Sequence, residues 1–143
     1  MTTYTAHVRA HPDCLAQSPE DMAVEAALAV GWTLQPRPTI TASKYPGGSE
    51  PCWTDASGAF TYAPYDWRPY TDPVHATELL AFTALGPAYI SVRVYPVEFA
   101  DGMRWYAEFE SEVGCREEQI VRDTFPAAST TACLLALRQY WRV

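Results

Sequence analysis

The chain has 143 residues, 48% of them hydrophobic, so it can bury the core of one domain, which we expect to cover residues 1–143. Its 17 acidic and 10 basic residues give a formal net charge of -7, which disfavours nucleic acid as a direct partner because phosphates repel an acidic surface. Residues 1–10 lack the apolar region of a signal peptide and no stretch could span a membrane, so we expect a cytoplasmic protein without a membrane partner.

The cysteines give no indication of a metal or redox site. Four of them are spread along the chain without a CxxC pair: Cys14, Cys52, Cys115 and Cys133. In a chain without a secretion signal, this spacing is typical of reduced and mostly buried thiols. We therefore expect no metal, no cofactor and no catalytic residue.

The N-terminal segment "HVRAHPDC" contains side chains of the types that bind metals, namely His7, His11, Asp13 and Cys14. His7 and His11 have the spacing of two ligands on one helical face. However, Pro12 and the alternation of Val8 with Ala10 argue against a helix there. We interpret residues 1–17 as a surface arm that contains histidines without a metal.

The segment "SPEDMAVEAALAVGW" predicts the first helix. Ser18 is the expected N-cap, Pro19 suits the first helical position, and Gly31 follows the end. The alanines of this helix allow a neighbouring sheet or helix to approach closely.

The next part of the chain combines a long connection with a short hairpin. Prolines and glycines break residues 35–50, where Lys44 lies beside two glycines but lacks the spacing of a phosphate-binding loop. Residues 52–54 and 59–62 predict a hairpin around a turn at Asp55, Ser57 and Gly58.

Residues 53–70 are rich in aromatic side chains. The candidate ligand-binding or partner-binding residues are Trp53, Tyr62, Tyr65, Trp67, Arg68 and Tyr70. Tyrosine, tryptophan and arginine dominate the energy of binding surfaces, so these residues could form a stacking or interface surface. The same rings could instead fill the end of a small core, because each buries a large area at low entropy cost, and the sequence favours this interpretation.

A second helix is predicted between Asp72 as N-cap and Gly86, with Pro73 at its first position. Its apolar spacing predicts one buried stripe made of Val74, Leu79, Leu80, Phe82 and Leu85. His75 lies in the first turn without a nucleophile nearby, so we interpret it as a packing or surface residue.

Two alternating runs within residues 89–113 predict a β-hairpin with a two-residue turn at Asp101-Gly102. That turn places Val94 opposite Phe109 on a buried side and Arg93 opposite Glu110 on a wetter side. We interpret the glutamates of the wetter side as a solvated row rather than catalytic carboxylates: Glu108, Glu110 and Glu112.

The end of the chain predicts a short strand near residues 119–122 and a last helix over "STTACLLALRQYW". The apolar stripe of that helix consists of Leu134, Leu137 and Trp141. The complete pattern predicts an α+β fold with three helices and an antiparallel sheet of about four to five strands.

The order of these landmarks resembles the phage ABA sandwich domain, a family of small proteins encoded by bacteriophages and prophages. The resemblance runs from about residue 18 to the C-terminus and rests on Gly31-Trp32, Trp53, "PYTDP" at 69–73, the hairpin at 89–113 and the run at 131–136. It implies an α/β/α sandwich, with helices on both faces of an antiparallel sheet. The half-polar hairpin is more typical of a sheet face that is open or used by a partner.

The function expected from these features is binding without catalysis. We expect a phage-encoded protein of the host cytoplasm that counters host defence by binding a host protein or a nucleotide-like small molecule. An alternative is a homo-oligomeric structural or accessory phage protein that associates through the hairpin edge or through Tyr140 and Trp141 of the last helix. A small enzyme is a weaker alternative.

Overall fold

The computed structural model describes residues 2–36, 51–110 and 117–141, and it shows an α+β fold. Its helices are α1 (Tyr4–Ala10), α2 (Pro19–Ala29), α3 (Pro73–Leu85) and α4 (Phe125–Trp141), and a 3-10 helix covers Cys14–Ala16. Its strands are β1 (Thr33–Gln35), β2 (Cys52–Thr54), β3 (Phe60–Tyr62), β4 (Val92–Phe99), β5 (Gly102–Glu110) and β6 (Glu117–Arg122). The α+β class is confirmed, but the described residues form four α-helices where three were expected and six strands where four to five were expected.

The strands form two sheets instead of one. Each has three antiparallel strands in chain order, β1-β2-β3 and β4-β5-β6. The hairpin of β2 and β3 is confirmed, with Trp53 opposite Tyr62, and β1 pairs with β2 where a connection was expected from Gln35 onwards. The rest of that expected connection, including Lys44, lies outside the described residues.

The starts predicted for α2 and α3 are confirmed, whereas α4 begins at Phe125, four residues before the predicted segment. Ser18 Oγ accepts a hydrogen bond from the backbone N–H of Asp21 at 3.1 Å. Asp72 Oδ1 accepts one from the N–H of Val74 at 2.8 Å. Gly31 has a φ of +89° just after α2, a conformation that glycine adopts without steric cost. Each of these caps involves only residues within one helical turn, so the local sequence is enough to predict it.

The N-terminal segment forms a helix, so the prediction of an arm without helix was wrong. Thr3 Oγ1 caps α1 by accepting from the N–H of Ala6 at 3.1 Å. Pro12 lies beyond the end of α1, where its missing N–H removes no helical hydrogen bond. His7 is buried, with 4% of its surface exposed. The segment therefore packs into the protein, against α2.

A buried ion pair between Glu25 of α2 and Arg138 of α4 holds this segment in place. Glu25 is fully buried, and its Oε2 accepts from Nε of Arg138 at 2.9 Å. Glu25 Oε1 accepts from the side-chain amide of Gln17 at 2.9 Å, and Arg138 also donates to the backbone carbonyls of His11 and Pro12. The hydrogen bonds to Glu25 raise the pKa of the Arg138 guanidinium.

Helix α4 lies at the centre of the fold. Small side chains let it pack closely on the sheet of β4, β5 and β6, namely Ala128, Ala132 and Ala136. Cys133 and Leu134 join the second core cluster with α2 and α3. In the predicted stripe Leu134 and Leu137 are buried, whereas Trp141 is 42% exposed. Both core clusters therefore depend on this one helix.

The predicted buried stripe of α3 is confirmed for Leu79, and Leu80 packs partly buried against the core, but the prediction was wrong for three other large residues. Those that are exposed are Val74 (63%), Phe82 (39%) and Leu85 (78%). The fully buried residues of α3 include Ala76, Leu79 and Thr83, two of them small, which allows α3 to pack closely against α4. Thr83 satisfies its hydroxyl by donating to the carbonyl of Leu79 at 2.8 Å.

The hairpin of β4 and β5 forms with a register two residues away from the predicted one. Phe99 pairs with Gly102, so the turn is Ala100-Asp101. Gly102 has a φ of +136°, which glycine allows, and Arg104 Nη2 donates to Asp101 Oδ2 beside the turn. Shifting the pairing by two residues keeps every side chain on the same face of the sheet. The pattern of apolar and polar residues therefore cannot distinguish the predicted register from the observed one.

The new register changes the partners of the polar face. Arg93 faces Glu108 instead of Glu110, and Arg93 Nη2 lies 2.7 Å from Glu108 Oε1. Glu108 is only 8% exposed, so the prediction of a solvated residue was wrong for it. The side chain of Glu110 and all of Glu112 lie outside the described residues.

The thiols follow the expectation where the structure describes them. Cys14, Cys52 and Cys133 are buried, whereas Cys115 is outside the described residues. Burial raises the pKa of Cys14 to about 11 and that of Cys133 to about 12.

In the described ranges, no helix has the length and apolar character needed to cross a membrane.

Replacing Arg138 with methionine leaves the Glu25 carboxylate buried without its partner. We expect the free energy of unfolding, measured by urea denaturation, to fall by about 3–5 kcal/mol. The matched control is Arg9→Met, because Arg9 is exposed and should change stability by less than about 0.5 kcal/mol. The double replacement Glu25→Leu with Arg138→Met should recover most of the loss, and a double variant as unstable as the single one would contradict the ion-pair argument.

Candidate ligand-binding site

The loop between β3 and α3, residues 63–72, is held from both sides. The indole N–H of Trp67 donates to the carbonyl of Ala23 in α2 at 3.1 Å. The N–H of Arg68 donates to Nδ1 of His75 in α3 at 2.9 Å, and the N–H of Asp72 donates to the carbonyl of Arg68 at 2.8 Å. The loop is therefore anchored to two helices.

Trp67 lies within a cluster of aromatic rings. Its ring centroid is 4.8 Å from that of Trp32 and 5.2 Å from that of Tyr62. It also stacks on His75, with centroids 5.3 Å apart and planes inclined by 25°. Trp67 and Trp53 are almost completely buried, at 1% and 2% exposed, so both serve the core. His75 packs against rings, in agreement with its interpretation as a packing residue.

A cavity of about 640 Å³ lies between α2 and this loop. Its lining includes Pro19, Glu20, Ala23 and Val24 from α2, Trp53 from β2, and Pro64, Tyr65, Trp67, Arg68, Tyr70 and Thr71 from the loop. Five of the six candidate residues therefore line one cavity, and Tyr62 is the exception. The volume lies within the range of small-molecule sites.

The two charged residues of the cavity come from different elements, Glu20 from α2 and Arg68 from the loop. Arg68 is exposed, and its Nε donates to the carbonyl of Tyr65 at 2.8 Å, which leaves its terminal amino groups without a partner in the described part of the chain. Glu20 is also exposed, and its carboxylate has no hydrogen bond or ion pair to another described residue. Tyr65, 60% exposed, adds an accessible ring. The cavity thus offers aromatic surface with one cation and one anion that have no ionic partner among the described residues.

The α2 side of the cavity was not among the candidate residues. Glu20 and Val24 are four positions apart and so lie on one face of the helix. The sequence shows this face, but it contains no signal that the face meets a loop more than 40 positions further along the chain. The aromatic side was found because its residues are close in sequence.

Tyr62 makes a separate contact outside the cavity. Its hydroxyl lies 2.8 Å from Oε1 and 2.9 Å from Oε2 of Glu78 and donates to that carboxylate. Burial and the hydrogen bond to Glu78 raise the pKa of Tyr62 to about 12. This contact joins β3 to α3.

The N-terminal histidines stack on each other. The rings of His7 and His11 have centroids 4.3 Å apart, and Nε2 of His7 lies 2.8 Å from Oε1 of Gln17. Among the residues that the structure describes, no three His, Cys, Asp or Glu side chains are arranged to hold a metal ion. Nε2 of His7 also lies 3.8 Å from Oε1 of Glu25, so His7 belongs to the packing around this carboxylate.

Comparison with family models, with curated proteins and with solved structures finds no match to this chain. The resemblance to the phage ABA sandwich domain therefore stays a prediction from the sequence.

The raised pKa of Tyr62 makes the stability of the fold sensitive to alkaline pH. The unfolded tyrosine ionises near pH 10 while the folded one keeps its proton until about pH 12, so the stabilisation is complete below pH 10 and is lost as pH rises through 12. Tyr62→Phe should lower the free energy of unfolding at neutral pH by about 1 kcal/mol and flatten its decline between these two values.

Urea denaturation at several pH values measures both effects. Tyr89→Phe is the control, because Tyr89 is 79% exposed and its hydroxyl should contribute little. An equally steep alkaline decline in wild type and Tyr62→Phe would show that the contact with Glu78 does not control this pH dependence.

Proposed function

We propose that the protein is a small, non-catalytic binding protein whose ligand occupies the cavity between α2 and loop 63–72. The observation that carries this proposal is the convergence of five candidate residues on one cavity of about 640 Å³. The hydrogen bonds from Trp67 and Arg68 to α2 and α3 anchor the loop before a ligand binds. A preformed wall reduces the ordering cost of binding.

The ligand that suits this cavity is a nucleotide-like small molecule. The rings of Tyr65 and Tyr70 offer faces on which a planar group can stack, and the free end of Arg68 can pair with an anion. A concave site of this volume suits a small molecule better than the flat surface of a host protein. A bound host protein remains the alternative ligand within this proposal.

We further propose that the protein is phage-encoded, belongs to the phage ABA sandwich domain family and acts in the host cytoplasm against host defence. The support is the sequence resemblance from about residue 18 onwards. The α+β class agrees with that family, although two three-stranded sheets stand where it implies a single sandwiched sheet.

Loss of the exposed ring of Tyr65 should weaken ligand binding. Stacking of one base on one aromatic side chain contributes about 1–3 kcal/mol, so Tyr65→Ala should raise the dissociation constant of a bound mononucleotide by about tenfold or more. Isothermal titration calorimetry with a panel of mononucleotides measures this constant. Tyr89→Ala removes an exposed tyrosine outside the cavity and should bind like wild type. Binding that is equal in both variants, or absent in wild type, would contradict the small-molecule proposal.

A second candidate function is the homo-oligomeric accessory protein, which an apolar surface supports. The C-terminal ends of α3 and α4 and the following loop expose Phe82 (39%), Leu85 (78%), Tyr89 (79%) and Trp141 (42%). A groove of about 230 Å³ beside them is lined by Leu85 and Trp141 among others. Tyr140, the other residue expected at a self-interface, donates its hydroxyl to the carbonyl of Pro87 and fixes the adjoining loop.

If this surface mediates self-association, Leu85→Glu should convert an oligomer to the 15.9 kDa monomer, because it places a charge within the apolar contact. Light scattering coupled to size-exclusion chromatography measures the mass. Val74→Glu is the matched control, because Val74 is 63% exposed at the other end of α3. A wild-type protein that is monomeric at all concentrations would exclude this second candidate.

A further inference from the structure

Two opposite charges face the same cavity without pairing with each other. Glu20 lies in the first turn of α2 and Arg68 in loop 63–72, and both residues line the cavity. No ion pair joins them, and neither the carboxylate nor the terminal amino groups of Arg68 have a partner among the described residues. Because the remaining walls are mostly aromatic and apolar, the cavity suits a planar ligand with hydrogen-bond donors at one end and an anion at the other.

The Arg68 side chain suits a phosphate group. Its Nε donates to the carbonyl of Tyr65 at 2.8 Å, which restrains the guanidinium and leaves the two terminal amino groups available. Two amino groups of one guanidinium can donate hydrogen bonds to two oxygens of the same phosphate. The formal net charge of -7 disfavours a ligand with many phosphates, so a single phosphate group is the best match.

The Glu20 carboxylate suits a base that presents two adjacent N–H groups. An ionised carboxylate only accepts hydrogen bonds, and it pairs best with two parallel donors. Guanine has two such donors side by side, its ring N–H and its exocyclic amino group. Adenine has one amino group next to a ring nitrogen whose lone pair repels a carboxylate.

We propose that the cavity binds a guanine mononucleotide, with the donor edge of the base at Glu20 and the phosphate at Arg68. This inference rests on the proposed binding function of the same cavity. Stacking on Tyr65 and Tyr70 provides affinity for any base. The contact with Glu20 provides the preference for guanine, because a bidentate pair discriminates between bases.

Calorimetric titration with GMP, AMP and guanosine tests the assignment. Wild type should bind GMP about tenfold more tightly than AMP and about tenfold more tightly than guanosine. Glu20→Gln should remove the preference for GMP over AMP while leaving the affinity for AMP within about twofold. Arg68→Gln should reduce the affinity for GMP to that for guanosine. Glu98→Gln and Arg9→Gln change exposed residues outside the cavity and should bind like wild type.

The possible outcomes separate this inference from the proposed function. Equal affinities of wild type for GMP and AMP, or an unchanged preference in a folded Glu20→Gln variant, would overturn the guanine assignment. Binding that still depends on Tyr65 would then retain the proposed function. Absence of binding for all three compounds would overturn the assignment, and the wider mononucleotide panel would decide the function. Tighter binding of an oligonucleotide with a terminal guanosine phosphate would show that nucleic acid, rather than the free nucleotide, is the source of the ligand.

Discussion

The indole of Trp67 lies where the core meets the cavity, and both depend on how it is held. Its N–H donates to the carbonyl of Ala23, its ring stacks on His75, and it forms part of the cavity wall. Tryptophan is so large that it is seldom completely buried, yet here only 1% of its surface is exposed. The loop therefore cannot move away from α2 without opening the core. This coupling is what allows a loop to form a fixed wall for a ligand.

The secondary structure was predictable where it depends on neighbours in sequence. The caps at Ser18 and Asp72 involve residues one turn away, so the starts of α2 and α3 followed from the sequence. Helix α1 was not predicted because the alternation of Val8 with Ala10 is typical of a strand, and because Pro12 disfavours a helix that continues through it, whereas α1 ends at Ala10. The tertiary contacts that bury His7 stabilise this short helix, and no local pattern contains them.

The candidate site was predictable only on the side that is contiguous in sequence. The aromatic loop supplies one wall, but Glu20 comes from a helix whose position relative to the loop is a tertiary property. Helix α3 shows a related limit of sequence-based prediction, since Leu85 is exposed and Thr83 is buried. The expectation that large apolar residues are buried fails where two helices pack so closely that only small side chains fit between them. Hydrophobic periodicity also cannot indicate that Glu25 will pair with Arg138.

That ion pair has a consequence for the order of events during protein synthesis. Glu25 and Arg138 are 113 positions apart, and a ribosome adds about 5–20 residues per second, so α2 emerges several seconds before its partner. During this interval the Glu25 carboxylate must stay hydrated, because burying it alone would be too costly. Helix α1 packs around the same carboxylate. Because Arg138 also donates to the carbonyls of His11 and Pro12, the first helix of the chain has its complete set of contacts only when α4 is in place.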